Sequence, residues 1–265
     1  MHNGFSTRNI GGLPLVTADT ISARHAFTTR LGGVSSGVHQ SLNLGENRGD
    51  NHENVRENYR ILGAALGFDY RDIVFTKQVH GREVRTVNEN DRHELFSAVP
   101  YEADGLVTNR PGVPIIAFTA DCVPVLLHDP AAGVIAAVHC GWRSTVADII
   151  GEALRAMTAL GATAADTTAA VGPAIAKCCF EVGPEVPEAM RELLGADAEP
   201  LIRPGLPEKF YADLHGACRA RLIQLGVCSG NIAVSDECTV CSHEKYWSHR
   251  HTKGQRGSQG AIIML

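Results

Sequence analysis

At 265 residues with 44% hydrophobic content, the chain can bury a sizeable core as one large domain or two small ones. Its net charge of −5, without any Lys/Arg-rich run, excludes an electrostatic grip on nucleic acid and a polybasic membrane patch, leaving a small-molecule substrate as the expected partner. No stretch approaches the roughly 18 apolar residues of a membrane span.

The opening MHNGFSTRNIGGLPLV lacks a basic stretch followed by a long apolar core, so a cytoplasmic location is expected. Eight cysteines in a chain of this length are then expected as free or metal-bound thiols rather than disulfides. No repeat and no Ser/Gly/Pro linker divides the chain, which predicts one domain over 1–265. In chain order, short β-rich runs predict strands at His25–Arg30, Asp72–Thr76, Glu83–Val87, Gly105–Thr108 and Val113–Phe118. VPVLL and VIAAV, separated by a turn signal, predict an antiparallel hairpin. Val146, Ile149, Ile150, Ala153, Leu154, Met157 and Leu160 fall on one face of a helix that would cap the sheet behind the hairpin. TAAVG is the next strand, followed by helices over Pro184–Leu194 and Asp213–Gly226, the latter closed by its glycine. NIAVS and AIIML are weaker strand candidates. Adjacent strand runs and an antiparallel centre predict an α+β fold, a single compact domain with mixed, partly antiparallel sheets flanked by helices.

The hairpin carries the chemistry. Pairing Leu127 with Val134 sets Cys122 opposite His139, with Cβ atoms about 4.5 to 5.5 Å apart. That suits two ligands on one ion, or a thiol and imidazole sharing a proton in a cysteine hydrolase or amidase. His80, in TKQVHGREV and just before Gly81, is expected in a loop at a sheet edge. With Cys122 and His139 it makes a two-histidine, one-cysteine set, matching catalytic zinc sites that use three protein ligands and leave the fourth position open. A non-catalytic protein using the ion to fasten its fold is a further alternative.

TKQVHG, ADGLVTN, TADCVPVLLHDP, AAVHCGWRS and GPAIAKCCFEVG, in this order, resemble the multicopper polyphenol oxidase, or laccase-domain, family. The resemblance begins with FTTRLGGVSSGVHQSLNLG and RGDNHENVRENYRIL and ends in CTVCSHEKYWSHR, covering nearly the whole chain. It implies that His80, Cys122 and His139 bind zinc and serve catalysis in purine nucleoside phosphorolysis. Adenosine deamination and methylthioadenosine phosphorolysis are the implied side activities, and cell-wall precursor editing by an amidase is another activity associated with the family. One Cys-His-His set suits redox-inert zinc better than the several coppers of a four-electron oxidase.

Phosphorolysis needs phosphate held against C1′ of the ribose, a task for the planar fork of arginine. Arg30 and Arg250, in family-like blocks, and Arg143, after Gly141 and Trp142, are the candidates. Asp121 could orient a ligand or hold a turn, and Glu181 or Asp104 could carry the deaminase proton. Departures from the family pattern are Cys140, where alanine is usual, Ser144, where glycine is common, and the ending HTKGQRGSQG, which leaves Arg256 without an expected role. Strand alternation predicts Cys140 on the face opposite His139. The C-x-x-C at Cys238 and Cys241 has poor spacing for a second zinc site, and the adjacent Cys178 and Cys179 are expected to point apart along an extended chain.

Overall fold

The computed structural model describes residues 4–265. In chain order the elements are β1 (Phe5–Ile10), β2 (Leu13–Ala18), β3 (Arg24–Phe27), α1 (His52–Leu66), β4 (Val84–Thr86), β5 (Gly105–Thr108), β6 (Ile115–Thr119), β7 (Val123–Asp129) and β8 (Val134–Cys140). They continue as α2 (Trp142–Val146), α3 (Ile149–Ala159), β9 (Thr168–Val171), β10 (Glu181–Val182), α4 (Glu185–Leu194), β11 (Ile202–Pro204), β12 (Phe210–Ala212), α5 (Leu214–Gln224), β13 (Ile232–Val234), α6 (His249–Thr252) and β14 (Gln259–Met264).

Two sheets stack face to face between two layers of helix. One is antiparallel, in the order β1-β2-β3-β14-β6. The other, β13-β9-β7-β8-β5-β4, is antiparallel at its centre and parallel at both edges. Between the sheets lie Val16, Phe27, Ile115, Ala117 and Ile263 from the first and Leu106, Leu126, Ile135 and Ala170 from the second. The alternate residues of the first sheet, such as Leu15, Ala26 and Ile262, pack under Val55, Tyr59 and Leu62 of α1. Those of the second, such as Val125, Leu127, Ala136 and Val138, pack under α3, α4 and α5. Every residue of β7 and β8 is buried, as expected of strands covered on both faces, which read as continuous apolar runs rather than alternations. A small sheet, β10-β12-β11, flanks the helical side. The α+β class and mixed sheets are as expected.

Three local expectations change. The hairpin register is two residues longer: Asp129 pairs with Val134 and Pro124 with His139, so the strands reach Cys140 and Cys122 falls just outside the ladder. Its cause is Asp129, whose carboxylate accepts the N–H groups of Ala131 and Ala132, both at 2.9 Å, closing a shorter loop over Gly133 (φ 62). A shift of two preserves strand faces, so Cys122 remains on the His139 side. The single helix expected from Val146 to Leu160 is two, broken where Asp148 turns left-handed (φ 67). There its carboxylate caps Gly151 N–H and accepts from Nε and Nη2 of Arg221, each at 2.8 Å. Asp72–Thr76 forms no strand; Val74 makes an isolated parallel bridge to Ile115.

Candidate metal centre

His80, Cys122 and His139 meet at one end of the six-stranded sheet, their ligand atoms all within 4.8 Å of one another. His139 is the penultimate residue of β8. Its Nδ1 donates to Asp104 at 2.7 Å, and its backbone N–H reaches the Asp104 carbonyl at 2.7 Å, so the ring presents Nε2. The same buried carboxylate accepts the consecutive N–H groups of Val79, His80 and Gly81 at 3.0, 2.9 and 2.8 Å. His80 sits at φ 61, a conformation unusual for a side chain that bears a Cβ, which turns these three amides toward one anion. One carboxylate thus orients two histidines on different segments. Gln78 pins the loop further by exchanging two hydrogen bonds with the Phe118 backbone.

Cys122 is positioned by Asp121, also left-handed (φ 87). The Asp121 carboxylate accepts Thr239 Oγ1 and the Arg250 N–H, both at 2.6 Å, while its carbonyl accepts Ile175 N–H at 2.9 Å. The histidine partner is therefore Asp104, and Asp121 holds the turn.

The electrostatics follow from these contacts. Burial works against the Cys122 thiolate, but His139 and His80 beside it pull the thiol down to about 6. Burial likewise opposes charge on His139, but Cys122 and Asp104 push the imidazole up to about 9. Burial also resists ionisation of Asp104, yet the bonds from His139 and the loop amides keep it below the usual carboxylate range.

The donor set fits a divalent ion. Cys122 Sγ and His80 Nε2 are 3.9 Å apart, so modest closure brings both to bonds of about 2.0 to 2.3 Å around zinc. The histidine–carboxylate pair is the usual outer support of a metal-bound imidazole. Gly141 supplies the space: a Cβ there would lie 2.9 Å from His80 Cδ2, 3.3 Å from Cys122 Sγ and 3.7 Å from His139 Cε1.

The three arginines differ in their commitments. Arg30 donates to the Gln40 and His243 carbonyls and stacks on Trp247 at 4.1 Å. Arg250 donates to the Cys179 and Glu181 carbonyls. Arg143 is exposed, its guanidinium 4.4 Å from the Trp142 ring centroid, two residues beyond Gly141. Arg256, left without an expected role by the divergent ending of the sequence, has one in space. It is largely buried, with Nε lacking a hydrogen-bond partner. Burial and then repulsion from Arg48 lower its guanidinium to about 10, against the attraction of Asp121 and Cys122. His249 is lowered by burial and by Arg256, Arg48 and Arg250. Arg256, which feels the Cys122 charge, thus sits in a positive cluster with Arg48, His249 and Arg250, drawn from two distant stretches of the chain. Cys140, on the opposite face as expected, is buried in the helical-side core with Cys218.

Fold and site together define a four-layer α+β protein with a three-ligand, metal-capable centre at the end of its inner sheet. The chain belongs to the multi-copper polyphenol oxidoreductase laccase family, whose model matches residues 24–265. Among curated relatives, a purine nucleoside phosphorylase of Deinococcus radiodurans is 41% identical over 256 residues, covering 96% of this chain and 94% of that protein. An adenosine deaminase of an unknown prokaryotic organism is 35% identical over 237 residues, covering 88% and 90%. The crystal structure of YlmD from Geobacillus stearothermophilus superposes with a TM-score of 0.92 at 32% identity, covering 98% of both chains.

Proposed function

We propose that this chain is a zinc-dependent purine nucleoside phosphorylase acting on adenosine, inosine and guanosine, with adenosine deaminase and methylthioadenosine phosphorylase side activities. The observation that carries the proposal is the convergence of His80, Cys122 and His139 under one orienting carboxylate beside a cluster of arginines. Relatives named as phosphorylase and deaminase support the substrate class. A bound zinc ion would supply Lewis acidity for activating water or stabilising a developing charge.

In phosphorolysis a phosphate oxygen bonds to C1′ as the C1′–N9 bond breaks and its electron pair leaves with the purine. Arg256 and Arg48 suit the phosphate: two like charges in mutual repulsion, one with an unpartnered donor, gain most from a dianion between them. Arg143, exposed and two residues beyond the Gly141 that borders the ligands, is a further phosphate candidate, whereas Arg30 and Arg250 act mainly by holding loops. Asp104 keeps His139 in the tautomer that presents Nε2.

A second reading, a cysteine hydrolase or amidase, has its own observation: Cys122, His139 and Asp104 also stand in the order thiol, imidazole, carboxylate. The two readings separate on His80, which a triad does not require.

The test is chromatographic. Zinc-analysed protein is incubated with adenosine, inosine and methylthioadenosine, with and without phosphate, and free base, ribose 1-phosphate and inosine are followed. Phosphate-dependent base release, abolished in His80→Ala and Cys122→Ala, is the expected result. No nucleoside consumption by metal-replete protein would overturn the phosphorylase reading.

A further inference from the structure

Four cysteines from two distant segments, Cys178, Cys179, Cys238 and Cys241, bring their sulfurs within 4.8 Å of one another. Cys178 Sγ lies 3.7 Å from both Cys179 Sγ and Cys241 Sγ, and Cys179 Sγ lies 3.5 Å from Cys241 Sγ. Four thiolates bound tetrahedrally at about 2.3 Å stand about 3.8 Å apart. Cys178, Cys179 and Cys241 thus already hold the spacing of a tetrathiolate shell, with Cys238 Sγ within 4.8 Å of them, and all four thiols are free rather than paired in disulfides.

The expectation that Cys178 and Cys179 diverge fails because they lie in a tight turn, not an extended chain. The Cys179 and Phe180 N–H groups both bond to the Ala176 carbonyl, at 2.9 and 3.0 Å. That turn aims both thiols at Cys241. The C-x-x-C spacing is completed by this second cysteine pair, about 60 residues upstream in sequence, which no local motif reveals.

Cys238, the buried member, accepts the Ala176 N–H on its sulfur at 3.4 Å, and Ala174 pairs with Cys238 in a parallel bridge. Two loops without a ladder of their own are thereby registered against each other at the cluster. This group shares no residue with the His80–Cys122–His139 centre.

We propose that Cys178, Cys179, Cys238 and Cys241 form a second, structural zinc site that fastens the Ala174–Phe180 segment to the Cys238–Cys241 segment. Binding exchanges four thiol protons for one Zn2+, leaving a tetrathiolate of net charge −2, with no open position and no redox change. An all-sulfur, closed shell is the pattern of structural rather than catalytic zinc.

The experiment is metal analysis of the full chain, saturated with zinc and then freed of loosely held ion over a weak chelator. Two zinc ions per chain are expected, falling to one in Cys178→Ser and one in His80→Ala, and to none when both changes are combined. Cobalt-loaded His80→Ala should show intense sulfur-to-cobalt charge-transfer and tetrahedral ligand-field bands, which Cys178→Ser lacks at that site. One zinc in wild type, lost with His80→Ala and unmoved by Cys178→Ser, overturns the proposal. So does rapid reaction of these thiols with a thiol reagent in zinc-saturated wild type, an outcome that does not depend on any variant folding.

Discussion

Asp104 is the residue on which the metal centre turns. Its carboxylate accepts four hydrogen bonds, one from His139 Nδ1 and three from the loop carrying His80. Asp104→Asn replaces one acceptor oxygen with a donor facing N–H groups. Zinc affinity, measured by competition with a chelating dye, should fall about 10- to 100-fold, together with a lower melting temperature from the buried donors left unmatched. An unchanged affinity would show that the ligands hold themselves. His25 offers a second test at this scale. Its Nδ1 donates to the Ala23 carbonyl and its Nε2 accepts Ala18 N–H, each at 2.9 Å, so the ring is held neutral. Burial first, and then the charge of Arg8, lower its pKa below 6.5, against the opposing pull of Asp19. The unfolded chain therefore takes the proton first as pH falls. The stabilisation is complete above about pH 6.5 and is lost below it, by at most about 1.4 kcal/mol per pH unit. His25→Gln, which keeps one donor and one acceptor without titrating, should flatten the dependence of the urea midpoint on pH between 7 and 5. Equal slopes in the two proteins would assign the acid sensitivity elsewhere.

Among the elements, the β7–β8 hairpin does most to place the site, since its length sets how far His139 reaches beyond the sheet. Asp129 closes it, accepting Ala131, Ala132 and Thr163 N–H groups while almost fully buried. Asp129→Ala leaves three backbone donors short of their partner, and should cost about 3 kcal/mol in a denaturation curve. A loss below a few tenths would mean water replaces the carboxylate freely. Helix α1 shows a signal that was present but unused. Val55, Tyr59, Leu62 and Leu66 repeat on one face, Asn51 caps the first turn and Gly67 ends it at φ 74. The break at Asp148 was less legible. The apolar spacing runs straight through it, and the reason for stopping is Arg221, some seventy residues away on α5.

For the whole molecule, β14 shows how the layers close. It lies between β3 and β6, so this final strand is what joins β6 to the rest of the five-stranded sheet. All six of its residues are buried. A chain ending at Gly257 should therefore lose cooperative unfolding altogether, observed as absence of a sigmoidal circular-dichroism transition. A retained transition would show that the six-stranded sheet and its helices fold alone. Apolar runs and turn residues determined the α+β class, the hairpin and most inner strands, because those depend on burial and local backbone preference. Residue type and family blocks singled out His80, Cys122 and His139. Only the tertiary structure decided that Asp104 lies beneath both histidines, that Arg48 and Cys122 both act on Arg256, and that Cys178 and Cys179 gather with Cys238 and Cys241. Each of these joins residues far apart in the chain, and a hydrogen bond or a metal shell depends on distances in space that sequence spacing does not encode.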